Sequence, residues 1–556
     1  MDCYDYVIIG SGFGGSVSAL RLAEKGYSVL VLEQGKRFRD EDFAKSTWQL
    51  RRYLWAPALR CFGILQISPF RDVVVLHGAG VGGGSLGYAN VLVQPEDDTL
   101  DSPEWRRSGD WKRTLRPHYD TARRMLGVAQ NPKLGPADHV LKEIAGELGT
   151  ANTFAPTTVG AFFGRPGEEV PDPYFGGEGP ARRGCEFCGG CMVGCRHNAK
   201  NTLVKNYLWL AEKRGVTVRA ERQVRDIVPL AAGADDGARF EVIHRRSTSW
   251  LGGGRERVRA RNVIVAGGAY GTMSLLMRCR DITGSLPGLS PRLGDEVRTN
   301  VEGLLGVVSR KRQPDYSLGV AITSIVNLDA VTTAEPVRYP AGSSSMRLLS
   351  GPMITTGGIL SRLARSVASI VLHPADFLRT HLLPGWAQRS TILLIMQRTD
   401  HHMRMRLGRA ALTLGRRGLV SQPTPGIAPV GSPEIGFRVA KEFARRVDGI
   451  ALGSVNESLF GVPMTAHFLG GCPMGATREE GVIDAECRVH GYAGLYVIDG
   501  SMLPGNPGVN PSLTITAMAE AAMARIPAKG QAAATPPMAS AAGDAGSAHR
   551  SAGATA

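Results

Sequence analysis

The sequence of 556 residues is 43% hydrophobic, enough to bury a large core, and its length predicts two or more domains. Sixty-five basic against fifty acidic residues give a formal charge of +15, yet no basic run is interleaved with aromatic residues and no nucleic-acid motif occurs, which argues against a nucleic acid partner. A solvated arginine-rich surface is the favoured interpretation of this charge, and contact with an anionic membrane is the alternative. Nine cysteines, an odd number, argue against a disulfide framework.

A dinucleotide-binding fingerprint opens the chain. An apolar strand from Tyr6 leads into a G-x-G-x-x-G turn, and a second strand, Val29 to Leu32, leads into an acidic residue. In this pattern the glycines permit a tight turn and a close approach to a pyrophosphate, the helix dipole faces the phosphates, and the acid takes a ribose hydroxyl. The predicted cofactor contacts of this segment are Gly10, Gly12, Phe13, Gly14, Gly15 and Glu33.

The predicted first strand also bears on location. It begins within a few residues of Met1, which leaves no room for the charged and apolar regions of a conventional signal peptide. The expected location is therefore cytoplasmic, with membrane association as an alternative.

A cysteine cluster is a candidate metal site formed by Cys185, Cys188, Cys191 and Cys195. This C-x2-C-x2-C-x3-C spacing matches iron–sulfur ligands of bacterial ferredoxins, although Arg196 stands where those proteins have proline. In two-cluster ferredoxins the fourth cysteine of such a loop binds the other cluster, so that the loop supplies three ligands; Cys472 or Cys487 would then complete the site. Zinc, with His197 as a further ligand, and a metal-free loop packed beside the nucleotide-binding domain are the alternatives.

Two later segments have a distinctive composition. Between residues 359 and 383, apolar residues are interrupted by Arg362, Arg365, His373 and Arg379, which is too polar for a membrane span. The favoured interpretation is a helix with one buried face, and an interfacial amphipathic helix is the alternative. Residues 528–556 are mostly Ala, Gly, Ser, Pro and Thr and are predicted to be disordered.

Four more segments carry a family resemblance. They are a second glycine segment from Gly78 to Ser85, a strand-turn-helix pattern from Val263 to Leu276, a histidine segment from Thr465 to Gly475, and a C-terminal segment from Gly494 to Ser512 that precedes an alanine-rich helix. Together with the fingerprint they resemble the glucose-methanol-choline (GMC) oxidoreductases, and within that family the bacterial cholesterol oxidases of the mycobacterial type.

The resemblance implies an FAD site that both chain ends build. It also implies non-covalent attachment, because Gly87 stands where some members carry the histidine that binds FAD covalently. The further cofactor contacts that it implies are Gly78, Gly83, Gly84, Ser85, Gly268, Asp499, Gly500, Asn510 and Pro511.

The same resemblance implies three catalytic residues. His467 would orient or deprotonate the substrate hydroxyl, for which an imidazole is suited near neutral pH, and Asn510 would hydrogen-bond near the flavin edge. Glu335 matches a carboxylate that isomerises the steroid double bond, a role that burial would favour by raising its pKa. A packed core histidine, a turn-forming asparagine and a surface acid before a turn are the alternatives.

The implied fold is α/β, with a discontinuous Rossmann-type FAD domain from residues 1–100, 185–310 and 455–527. A mostly antiparallel α+β substrate domain would comprise residues 100–185 and 310–455.

The implied function is FAD-dependent oxidation of a bulky hydrophobic alcohol, foremost cholesterol or another 3β-hydroxysterol, to the 3-ketosteroid, with Δ5 to Δ4 isomerisation as an added step. One alternative is an FAD dehydrogenase of another hydrophobic alcohol that passes electrons through an iron–sulfur cluster to a quinone or protein instead of oxygen. The other is a non-catalytic flavin-bearing module.

Overall fold

The computed structural model describes residues 2–231, 236–250, 253–410, 415–427 and 431–531. Of the segment predicted to be disordered, 528–556, all residues beyond 531 lie outside this description. Among the described helices, none is both long enough and apolar enough to cross a membrane.

The strands alternate with helices at the start and run in succession later. In chain order they are β1 Cys3–Ile9, β2 Val29–Leu32, β3 Trp55–Ala56, β4 Cys61–Phe62, β5 Leu65–Pro69, β6 Val74–Gly78, β7 Ala129–Gln130, β8 Ala155–Pro156, β9 Thr158–Val159, β10 Glu169–Val170, β11 Arg182–Arg183, β12 Thr217–Arg219, β13 Arg222–Pro229, β14 Phe240–Arg246, β15 Arg255–Val265, β16 Val297–Arg298, β17 Gly303–Ser309, β18 Ser324–Asn327, β19 Thr332–Val337, β20 Ser350–Pro352, β21 Ser390–Gln397, β22 His402–Gly408, β23 Gly418–Pro423, β24 Gly449–Ser454, β25 Met464–Thr465 and β26 Leu495–Val497.

The helices range from single turns to four turns. In chain order they are α1 Phe13–Glu24, α2 Leu50–Tyr53, α3 Asp97–Leu100, α4 Pro103–Arg106, α5 Trp111–Leu126, α6 Pro136–Glu147, α7 Tyr207–Lys213, α8 Gly268–Asp281, α9 Ile359–Leu372, α10 Pro374–His381, α11 Trp386–Arg389, α12 Glu434–Arg446, α13 Val455–Phe460 and α14 Ser512–Ala524.

The first large sheet has the order β12-β2-β1-β15-β14-β13, with β26 paired to β15. The strands β12, β2, β1, β15 and β26 run parallel, and β14 and β13 extend the sheet antiparallel. Every residue of β2 is buried, as expected for a parallel strand that is covered on both faces. The predicted Rossmann-type α/β fold is confirmed in this sheet.

The two ends of the chain meet on this sheet. Helix α14 packs against both α1 and α5. The buried carboxylate of Glu520 on α14 accepts hydrogen bonds from Arg21 Nε at 2.7 Å and from Tyr207 Oη at 2.6 Å. A charge removed from water needs such partners. This cluster of side chains therefore joins α14 to α1 and α7.

The second large sheet is antiparallel and has the order β20-β24-β17-β21-β19-β18-β8. Successive side chains of a strand face opposite sides of its sheet. On β21, Leu393 and Ile395 join a core with α6 and α12. Ile392 and Leu394 line a cavity that residues of the first sheet also border, which we call the central cavity. One face of the sheet is therefore covered by helices and the other contributes a cavity wall.

Some segments depart from the expected domain division. Strand β17 belongs to the second sheet although it begins at Gly303, before the expected boundary at 310. Met403 and Met405 of β22, and Leu115 and Tyr119 of α5, lie in the core of the first sheet. The two large sheets mark where the two main cores lie. The division of the chain into domains stays a prediction.

The region 359–383 differs from the favoured interpretation. It forms two helices, α9 and α10, where the sequence predicts one. Ser366 is the one buried residue of α9, so the favoured interpretation, a helix with a buried apolar face, is wrong. The exposed apolar side chains of the region are Ile359, Leu360, Leu363, Val367, Ile370, Val371, Leu372, Phe377, Leu378, Leu382 and Leu383.

Candidate active site

Four glycine segments meet backbone to backbone at one end of the central cavity. Gly10 has a φ of +103°, and a Cβ there would overlap the carbonyl oxygen of Ala266. A Cβ on Gly14 would overlap the carbonyl oxygen of Ile498, and one on Gly83 would lie 2.6 Å from the Cα of Gly12. Only glycine lets these segments approach so closely.

Other glycines have free space in front of them. A Cβ built on Gly12, Gly84 or Gly268 would meet no atom of the described residues within 4 Å, and all three glycines line the cavity. Since Gly12 stands at the N-terminus of α1, the helix dipole and free amide groups face this space. The arrangement is a cradle for an anionic group such as a pyrophosphate.

Glu33 is buried at the side of this cradle. Its Oε2 accepts hydrogen bonds from Ser11 N at 3.1 Å and Ser11 Oγ at 2.8 Å, and its Oε1 accepts one from Gly35 N at 2.8 Å. Burial raises the pKa of Glu33 against the effect of these bonds. Glu33 thus holds the glycine turns together, and its contact with a ribose hydroxyl stays a prediction.

The cavity itself has a volume of about 710 Å3. From the glycine cradle it extends between the two large sheets to a compartment with largely apolar walls. The side chains of that compartment include Tyr53, Trp55, Ile64, Leu304, Ile322, Val337, Tyr339, Met346, Leu349, Trp386, Ile392 and Leu394. A cavity of this shape suits a ligand with one charged end and one bulky apolar end.

The structure brings two predicted catalytic residues to the cavity wall. His467 and Asn510 both line it, whereas Glu335 lies behind Asn510. Asn510 Nδ2 donates to Glu335 Oε2 at 3.4 Å, and within the described part of the chain Asn510 Oδ1 and Glu335 Oε1 have no hydrogen-bond partner. Unpaired buried oxygens beside a cavity are well placed for a ligand.

Glu335 is enclosed in the protein interior beside Asn510. Its side chain on β19 is fully buried, which excludes the alternative of a surface acid. Burial, with a smaller contribution from the negative charge of Glu302, raises the pKa of Glu335 to about 8 although Asn510 opposes the shift. Glu335 can therefore hold or release a proton near neutral pH.

Sequence reasoning missed Glu302. Its buried carboxylate forms an ion pair with Nδ1 of His467, and its Oε2 accepts a hydrogen bond from Ala466 N at 2.7 Å. The one cue in the sequence is an acidic residue directly before the apolar strand β17, where a carboxylate is buried only with partners.

The other predicted cofactor residues are divided between the cavity and its support. Phe13, Gly78, Asp499, Gly500 and Pro511 line the cavity. Gly15 and Ser85 lie behind it: a Cβ on Gly15 would overlap the carbonyl oxygen of Gly10, and Ser85 Oγ donates to Gly82 O at 2.7 Å. The buried Asp499 accepts a bond from Ser501 N at 2.8 Å, which positions the C-terminal segment.

Comparisons with known proteins identify the family of this chain. Family models described as "GMC oxidoreductase" match residues 181–279 and 456–519, and one described as "NAD(P)-binding Rossmann-like domain" matches residues 8–39. The chain is 46% identical to a cholesterol oxidase of Mycobacterium tuberculosis, over 96% of this chain and 93% of the relative. It is also 46% identical to a cholesterol oxidase of Acinetobacter baumannii, over 95% of both chains. The chain belongs to the GMC oxidoreductase family.

Solved structures of GMC-type oxidases share the fold. Pyridoxine 4-oxidase from Mesorbium loti superimposes with a TM-score of 0.58 at 16% identity, covering 94% of this chain and 98% of the other. A fungal aryl-alcohol oxidase superimposes with a TM-score of 0.57 at 15% identity, with the same coverage. At this identity the likeness extends to the fold alone.

FAD is the cofactor that membership in the GMC family implies, and the cavity fits it. The open glycines, the helix N-terminus and Glu33 suit the dinucleotide, and Asn510 and His467 line the same cavity. The contacts of individual residues with FAD stay predictions.

The cysteine cluster shows no metal geometry. In the described ranges, no group of three or more His, Cys, Asp or Glu side chains is placed to hold a metal ion. Cys185 packs with Ala199 and Val320, and burial raises the pKa of its thiol to about 12. Nδ1 of His197 lies 3.0 Å from Glu186 Oε1.

The two distant cysteines belong elsewhere. Cys472 and Cys487 are buried in the core of the first sheet, whereas Cys185 packs in a separate small cluster. The geometry therefore supports neither the iron–sulfur alternative nor the zinc alternative.

Gly14, which is packed against backbone atoms, and Gly12, which faces open space, should respond differently to substitution by alanine. Gly14→Ala should lower the stability of the protein without FAD by about 3 kcal/mol, because backbone atoms of distant segments cannot give way. Gly12→Ala should leave that stability nearly unchanged and weaken FAD binding at least about tenfold, or about 1.4 kcal/mol. Urea denaturation of the apoprotein and fluorescence titration with FAD measure both effects. Equal behaviour of the two variants would contradict the assignment of the open space to the cofactor.

Proposed function

We propose that this protein oxidises the 3β-hydroxyl of a sterol to a ketone in an FAD-dependent reaction, with oxygen as the electron acceptor. The observation that carries the proposal is a cavity that joins a dinucleotide cradle to an apolar compartment, with His467 and Asn510 on its wall. The relatives named cholesterol oxidase, at 46% identity over nearly the whole chain, support the same substrate class.

The residues of the cavity divide the chemistry between them. Bound FAD supplies the acceptor for the hydride that leaves the carbinol carbon. Nε2 of His467 takes the hydroxyl proton, so that the alcohol loses one proton and one hydride and becomes a ketone. Asn510 holds the oxygen in place, and the apolar walls exclude water from the reacting carbon.

Glu335 is the base that we propose for the second step, the movement of the double bond from Δ5 to Δ4. It lies behind Asn510, and its Oε1, which has no hydrogen-bond partner in the described part of the chain, is the atom that would reach the steroid. In this step a base removes a proton from C4 of the ketone and returns it to C6, with no net change in electrons. A fully buried carboxylate whose pKa is raised to about 8 is basic enough to take a proton from carbon and acidic enough to give it back. Asn510 positions the carboxylate by its hydrogen bond to Oε2.

His467→Gln should slow reduction of the flavin by cholesterol about a hundredfold or more, because the hydroxyl proton loses its acceptor. Bleaching of the flavin absorbance without oxygen measures this rate. His490→Gln is the matched control, since His490 bonds to Gly475 O in the same part of the chain and does not line the cavity. If cholesterol leaves the wild-type flavin oxidised while dithionite bleaches it, a sterol is the wrong substrate.

Glu335→Gln should preserve oxidation and abolish isomerisation, so that the unconjugated Δ5 ketone accumulates. In the wild type, isomerisation requires the ionised carboxylate at its first step, and its rate should therefore rise as pH passes through about 8. The absorbance of the conjugated ketone distinguishes the two products. A conjugated product from the variant at the wild-type rate would remove Glu335 from this step.

The exposed surface of α9 and α10 indicates the source from which the protein takes the sterol. The exposed apolar residues of α9 and α10 continue, through Leu348 and Leu349, to the compartment wall, and α10 packs against the segment 344–349. Helices α9 and α10 together carry three arginines against one aspartate. Their apolar and basic character fits the surface of an anionic phospholipid bilayer, the occupant that we infer.

Leu360→Glu combined with Val371→Glu should abolish flotation with vesicles of phosphatidylcholine and phosphatidylglycerol. These side chains are 83% and 70% exposed, so the folded protein tolerates the change. Oxidation of vesicle sterol should fall at least about tenfold while oxidation of detergent-dispersed sterol persists. Ile282→Glu, an exposed apolar site after α8, is the control. Unchanged flotation of the double variant, or loss of a dimer in its place, would contradict the docking surface.

A further inference from the structure

Residues 298–302 make hydrogen bonds to both loops that carry the proposed catalytic residues, the loop of His467 and the loop of Asn510. Arg298 and Leu469 exchange backbone hydrogen bonds at 2.8 and 3.0 Å, and Thr465 Oγ1 donates to Thr299 O at 3.2 Å. Asn300 Nδ2 donates to Val509 O at 2.8 Å, next to Asn510. The segment therefore holds the histidine loop and the asparagine loop in one arrangement.

The backbone of this segment is strained. Asn300 and Val301 have φ values of +54° and +47°, and a β-branched residue rarely adopts the left-handed region. This turn directs Asn300 and Glu302 toward the same loops, since both contact partners there. Strain of this kind persists where surrounding contacts over-determine it, as they do at functional sites.

The two oxygens of Glu302 have different partners. Oε1 pairs with Nδ1 of His467, and Oε2 accepts the hydrogen bond of Ala466 N. Asn300 Nδ2 is also 3.4 Å from Nδ1, but its shorter bond goes to Val509 O. An ionised carboxylate only accepts hydrogen bonds, so Nδ1 must carry a proton where it meets Glu302.

From this geometry we infer that Glu302 is the positioning residue of the oxidation. It holds His467 with the proton on Nδ1, which leaves the lone pair of Nε2 to accept the hydroxyl proton of the substrate. Its negative charge then stabilises the imidazolium that results, from a position where Glu302 itself is fully buried. Glu302 is fully buried and its Oε1 pairs with Nδ1 of His467, so it acts through His467 and not on the substrate.

Glu302→Gln tests this role by reversing the hydrogen-bond pattern. Ala466 N needs an acceptor, so the single oxygen of the glutamine must face it and the NH2 group must face His467. The imidazole proton is then driven to Nε2, where it blocks proton transfer. Flavin reduction at saturating cholesterol should fall about a hundredfold or more, while KM stays within about threefold.

The decisive measurement needs no substrate. Long-range 15N–1H spectra of histidine-labelled holoenzyme should show His467 as the Nδ1–H tautomer in the wild type and as the Nε2–H tautomer in Glu302→Gln, with His467→Gln assigning the signals. An Nε2–H tautomer in the wild type would overturn the inference whether or not the variant folds. The inference rests on the proposed function for its substrate, but a failure of cholesterol to reduce the flavin leaves this spectrum unaffected.

Glu457→Gln is the matched control. Glu457, like Glu302, is a buried carboxylate that does not line the cavity. This variant should keep both the tautomer and the rate. An equal loss of rate in Glu457→Gln, or an unchanged tautomer and rate in Glu302→Gln, would show that Glu302 does not position the histidine.

Discussion

Contact between glycine backbones from distant parts of the chain is the constraint on which this structure depends. Gly14, at the start of α1, lies directly against the carbonyl of Ile498, and Gly83 lies against Gly12. Without side chains at these points, four segments converge tightly enough to form one cradle for an anionic group. The hydrogen bonds of Glu520 with Arg21 and Tyr207 then join α14 to α1 and α7.

The second sheet adds the other half of the cavity through the alternation of its strands. Because neighbouring residues of β21 face opposite sides, one strand supplies both the core beneath α12 and the wall of the apolar compartment. The sheet supplies one wall of the compartment, and other segments supply the rest, with side chains such as Tyr53, Met346 and Trp386. Largely apolar walls suit a substrate that is recognised by shape and not by many polar contacts.

Buried carboxylates determine the chemistry of the cavity. Glu33 and Asp499 are satisfied by backbone amides and hydroxyls and so serve mainly to hold loops in place. Glu335 has the single long bond to Asn510, which leaves burial to raise its pKa. Glu302 instead faces the imidazole of His467, the residue that we propose takes the substrate proton. The same side-chain type therefore has three roles, set by what each oxygen contacts.

The sequence by itself determined the family, the Rossmann strand and turn, and the candidates His467, Asn510 and Glu335, because these depend on local patterns and on motifs that can be read along the chain. Only the tertiary structure showed that Glu335 is fully buried, that Glu302 meets His467, and that α9 exposes its apolar residues. Burial and pairing join residues far apart in sequence, and periodicity does not record them. For the same reason the cysteine spacing suggested a metal site, although a spacing does not show where the thiols point and no metal geometry is found in the described ranges.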